Sequence, residues 1–104
     1  LPLARVWVEL WGLGPHHPDV HRFILQVQST LRAHFGKILQ EGIDKKVFQA
    51  EMQPARLASV ILAALEGLIL QLLYDPEHFD FRANLSGLEL MLEEYLKPEI
   101  ERRL

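Results

Sequence analysis

Apolar residues recur along this chain at helical spacing in four stretches, and none alternates as a half-buried strand would. The first stretch runs from Leu3 to about Leu13 and gathers Leu3, Val6, Trp7 and Leu10 on one side, with Trp11 at the edge. Gly12, Gly14, Pro15 and Pro18 then interrupt it. The second, from about Asp19 to Gly42, sets Val20, Phe23, Ile24, Val27, Leu31, Phe35 and Ile38 in one stripe, with Gly42 as its stop signal. Ile43 to Gln53 reads as a connector that turns Val47 and Phe48 into the core. The third stretch, Pro54 to Tyr74, opens on a proline, which suits the first helical position because no N–H is needed there. Asp75-Pro76 stops it, and the acidic, aromatic loop EHFDF follows. The fourth is expected from Asn84, a good N-cap residue, to about Lys97. Pro98 discourages its continuation into the charged tail KPEIERRL. The pattern predicts an all-α, antiparallel bundle of about four helices.

The third stretch differs from the rest because it is apolar on nearly every side. At 100° per residue, Ala58, Ile61, Leu62, Leu65, Ile69 and Leu72 form one face. Val60, Ala63, Ala64, Gly67, Gln71 and Tyr74 form a flatter face nearly opposite. One small core absorbs only one such stripe, so something else must cover the second. A second copy of the chain is the best candidate in a protein this short. The fourth stretch repeats the arrangement more weakly, with Leu85, Leu88, Leu92, Tyr95 and Leu96 on one face and Gly87, Leu90, Met91 and Glu94 on the other. A homodimer seam is therefore expected through Ala63, Gly67, Leu70, Gln71 and Tyr74, with Gly87, Leu90 and Met91 opposite. Both glycines weaken a helix, and close approach across a seam is a reason to keep them. A membrane span is the competing reading of the third stretch. Glu66 opposes it, since a charge in mid-segment costs about 2.5–3.5 kcal/mol on insertion scales, and no basic cluster flanks the segment.

Composition narrows the classes further. With 104 residues, 49% of them apolar and 24% charged, the chain is one globular domain. A net charge of −3 and a pI near 5.9 leave no basic patch for nucleic acid. There is no cysteine, hence no disulfide and no thiolate metal site. The opening LPLARVWVELW lacks a basic leader and a small-residue cleavage site, so a signal peptide is not expected. The first residue is not Met, which is compatible with a piece of a longer protein. His17 and His21 lie four apart beside His16, a spacing able to chelate. No carboxylate or cysteine completes the set, so surface histidines are expected and no metal. No phosphate loop or nucleophile–base order appears, so neither an enzyme nor a cofactor is expected.

The segments RVWVELWGLGPHHPDVHRF, ILQEGIDKKVF, ASVILAALEGLILQLLYDPEHFDF and LELMLEEYL, in that order, resemble the C-terminal regulatory domain of TetR-family transcriptional regulators of the betaine-regulator-like subgroup. The family's acidic-glycine step in an apolar helix is here Leu65-Glu66-Gly67-Leu68. One departure is Lys46, where the family commonly has glycine. The resemblance implies that residues 1–104 are an effector-binding and dimerisation domain, with the last two helices forming a four-helix bundle across the dimer. It implies a small-molecule effector of unassigned identity and DNA contact only through an N-terminal helix-turn-helix that this chain lacks; cytoplasmic residence, with which the absence of cysteine is compatible, is expected. No membrane partner is expected.

An effector is expected among the first three helices, near Trp7, Trp11, Phe23, Val27, His34 and Glu66. The aromatics offer a surface for a flat or cationic ligand, or else simply core. His34 falls in the apolar stripe, as a core histidine bonded to a carbonyl or as a ligand contact. Glu66 must be paired or hydrogen-bonded, at the dimer rim or as an effector's anchor. The rival reading is a self-contained helical dimerisation module that binds no small molecule.

Overall fold

The computed structural model describes residues 2–98. Helix α1 (Pro2–Leu13) passes through a short 3-10 turn (Gly14–His16) into the long α2 (Pro18–Asp44), followed by α3 (Pro54–Tyr74) and α4 (Phe81–Leu96). No strand occurs among the described residues, so the expected all-α architecture is what forms. The charged tail beyond Pro98 lies outside them.

Prolines set two of the helix starts. Pro18 and Pro54 each occupy the first turn, behind His17 and Gln53 in extended backbone conformation. Helix α4 begins at Phe81, earlier than the sequence suggests. Asp80, rather than Asn84, is the cap, its Oδ1 accepting the N–H of Ala83 at 3.0 Å. Asn84 instead sits inside the first turn and donates its side-chain amide to the carbonyl of Asp80.

The end of α2 also departs from expectation. Gly42 does not stop the helix, which runs on to Asp44. Val47 N–H bonds the Gly42 carbonyl and Lys46 N–H bonds that of Ile43, the double closure of a Schellman motif. Its left-handed residue is Lys46, at φ 61°. Gly42 is needed for space: a Cβ there would lie 2.0 Å from Cδ2 of Phe48. Phe48 packs against the core as expected, but Val47 is exposed because the same turn points it outward.

Helix α3 is the spine, with α2 packed on one side, α4 on the other, and α1 leaning on α2 and α3. Leu39, Leu57, Ala58 and Leu96 form the buried centre, flanked by Phe35, Phe48, Met52, Ile61, Leu92 and Tyr95. The connector is tied to the end of α4 by Gln49 N–H to the Leu96 carbonyl (2.8 Å) and Met52 N–H to the Tyr95 hydroxyl (2.9 Å). The core therefore sits at one end of the α2–α3 pair, and α1 caps the other.

The faces of α3 and α4 divide as their patterns predict. Ala58 and Leu62 are buried and Ile61 is half-buried, while Val60, Ala63, Gln71 and Tyr74 on α3 and Leu90 and Met91 on α4 are exposed. The stripes of α1 and α2 are rotated from their expected positions. On α1, Ala4, Trp7, Val8 and Trp11 are half-buried, whereas Leu3 and Val6 are exposed. On α2 the covered strip runs through Ile24, Gln28, Phe35 and Leu39, leaving Phe23, Leu31 and Ile38 exposed. A single layer of helices is the cause: the molecule measures 49 × 33 × 16 Å, so a flanking helix meets its neighbour along one narrow strip.

Candidate functional site

Where α1, the 3-10 turn, α2 and α3 meet, a cleft of about 390 Å³ opens between Trp11, Gly14, Pro15, His21, Ile24, Leu25, Gln28 and Glu66. Gly14 brings the turn close to α2, its backbone 3.4 Å from Ile24 Cδ1 as measured from where a Cβ would stand. Helical spacing does the rest, because Ile24 and Gln28 lie one turn apart on α2. Across the cleft, α3 presents Glu66.

Two polar features stand out among these mostly apolar walls. Gln28 Nε2 donates to Glu66 Oε2 at 3.1 Å, both residues being half-buried. No Lys or Arg lines the cleft, and Glu66 forms no ion pair among the described residues. The indole Nε1 of Trp11 is buried and lacks an acceptor there. An unmet buried donor costs about 1–3 kcal/mol, so an acceptor supplied at this position would be stabilising. Trp7 stands behind Trp11 in an edge-to-face contact at 6.0 Å and meets Phe23 likewise at 6.3 Å.

Of the six residues expected near an effector, Trp11 and Glu66 line the cleft, and Trp7 supports Trp11 from behind. Phe23 is half exposed on the outer side of Trp7, and Val27 does not reach the cleft. His34 is exposed and lies against the ring of Phe35, away from it. Rotation of the α2 stripe accounts for these displacements. It also brings in Gln28, which sequence reading missed although a lone amide one turn after Ile24 was a usable sign. His16, His17 and His21 are exposed, and no cluster of metal-binding side chains occurs among the described residues.

A larger groove of about 670 Å³ runs along Val47, Phe48, Leu92 and Leu96 at the far end, edged by Glu89 and Glu93. No aromatic side chain of α1 lines it, and the buried polar atom without a partner lies instead at Trp11, which makes the smaller cleft the better candidate for a site.

On the other side of α3, the residues expected at a seam lie together on the open face. Ala63, Gln71 and Tyr74 are exposed, Gly67 and Leu70 half-buried, and on α4 Leu90 and Met91 are exposed beside half-buried Gly87. A Cβ added at Gly67 or Gly87 would meet nothing within 4 Å. No close contact among the described residues requires either glycine. The most apolar window of α3 has a mean hydropathy of 2.0, enough for a membrane span by length and composition, yet only 17% of it is buried within the chain.

The described residues thus form an all-helical layer with a small mixed cleft on one side and an uncovered apolar face on the other. Residues 2–97 match the family of the BetI-type transcriptional repressor C-terminal domain, and the chain belongs to that family. It is thus a TetR-like regulatory domain, of a family that is not an enzyme class. No curated protein and no solved structure is found to match it.

Proposed function

We propose that this domain senses a small-molecule effector in the cleft at Trp11, Gln28 and Glu66, and dimerises through the open faces of α3 and α4. Signalling to DNA would run through an N-terminal helix-turn-helix outside this chain, and the protein would then act in the cytoplasm. The observation that carries the reading is the adjacency of Glu66 and Gly67. Consecutive residues of one helix face the cleft and the uncovered surface, so a ligand that shifts α3 at Glu66 also shifts the seam. A site coupled in this way biases a two-state assembly by its differential affinity for the two states.

Surface area supports the dimer. The chain exposes 7884 Å², against about 6,000 Å² for a compact monomer of 12.0 kDa. Its radius of gyration is 16.2 Å, against about 13 Å for a compact domain of this length. The excess, on the order of 1,900 Å², is ample for one partner's share of a stable interface. Pairing two layers face to face would also supply the second layer that a domain core requires. Covering α3 with protein accounts for its hydropathy without a membrane, and it keeps Glu66 out of lipid.

Native mass spectrometry of the purified chain tests both halves. The expected species is a dimer that takes up small-molecule mass from a metabolite extract. A monomer at micromolar concentration would remove the dimer, and a dimer that takes up nothing would favour a purely structural module.

A further inference from the structure

We propose that the effector is an organic cation bearing N–H groups, a protonated primary or secondary amine on a small apolar body. The inference rests on the cleft being the effector site, and it goes further by fixing the ligand's chemistry.

It follows from the donor and acceptor inventory. A carboxylate only accepts hydrogen bonds, so Gln28 must turn its NH₂ toward Glu66, as the 3.1 Å contact shows. That leaves the carbonyl oxygen of Gln28 and Oε1 of Glu66 with no donor among the described residues. Two acceptors stand at one spot, and one of them belongs to a charged group. The only titratable neighbour lining the cleft is His21, on its exposed lip, and no Lys or Arg supplies counter-charge. A half-buried carboxylate whose protein partner is a neutral amide is open to a positively charged N–H donor, which makes shorter and stronger hydrogen bonds to it than a neutral one does. An ammonium group is such a donor. Of the remaining walls, Ile24 and Leu25 are apolar, and Trp11 adds an apolar ring whose indole N–H is a donor, so they select a hydrocarbon body next to the ammonium group.

Four probes of one shape and different heads discriminate this: hexylamine, hexanol, hexanoate and hexyltrimethylammonium. Trp7 and Trp11 are the chain's two tryptophans, so its own fluorescence reports the site, with calorimetry for affinity. Hexylamine is expected to bind at least tenfold more tightly than the other three. Glu66→Gln should bring hexylamine down to the level of hexanol, and Gln28→Leu should weaken hexylamine about threefold. If Glu66→Gln fails to fold, Gln28→Leu and the ranking of the probes on the unaltered chain carry the test. Equal binding of hexylamine and hexanol would overturn the cationic class and keep the cleft as a site. Equal binding of hexyltrimethylammonium would overturn the need for N–H groups. Saturable binding of none of the four would overturn the effector site itself.

Discussion

Lys46 holds a conformation that costs an L-residue about 1–2 kcal/mol, at a position where helix ends favour glycine. Lys46→Gly should therefore raise stability by about 0.5–1 kcal/mol, after allowing for the greater freedom of glycine in the unfolded chain. Urea denaturation would show the gain as a higher midpoint at unchanged slope, and a loss would mean that Lys46 makes a compensating contact. Gly42, four residues earlier, responds in the opposite sense. Alanine is better in a helix by about 1 kcal/mol, but its methyl would occupy the space of the Phe48 ring, and overpacking costs about 1–3 kcal/mol. Gly42→Ala is expected to lower the melting temperature. Sequence reading took Gly42 for a stop signal because a glycine near the end of a periodic run usually is one. The ring that explains it arrives from Phe48 by way of the turn, which spacing on the helix does not reveal.

The start of α4 and the open face of α3 yield predictions for whole elements. Asp80→Ala removes the side-chain acceptor for Ala83 N–H and should cost about 1 kcal/mol, with fraying of the first turn visible as faster amide exchange at 81–84. Gly67→Arg places a long charged side chain where the isolated chain has room for it. Its helix content by circular dichroism should be unchanged, while light scattering should report a monomer or an aggregate instead of a dimer. A normal dimer from that variant would move the seam elsewhere. The two faces of α3 were legible in sequence because a helix apolar all round has few ways to be satisfied. Those of α1 and α2 were less so. Their stripes are broad enough to pack at several rotations, and the neighbours chose a strip about one residue away from the centre of the pattern.

For the molecule as a whole, charge sets the expectation. With a net charge of −3, the chain by itself should not shift duplex DNA at physiological salt, because phosphate neutralisation dominates such binding. Binding that weakens steeply with added salt would mean that a DNA-reading surface lies within these residues. Helix number, helix type, the inward face of α3 and the regulator family were all set by the sequence alone. Each depends on local periodicity, prolines and a short run of residues, which act over a turn or two of chain. The cleft was only half legible: Trp11 and Glu66 could be named, but Gln28 joined them and His34 left them when α2 took its rotation against α3. That rotation, the thin single layer and the meeting of two acceptors between helices separated by 38 residues were decided by tertiary packing. Hydrophobic burial is non-directional, so a pattern fixes which residues seek cover, and only the assembled neighbours determine which of them obtain it.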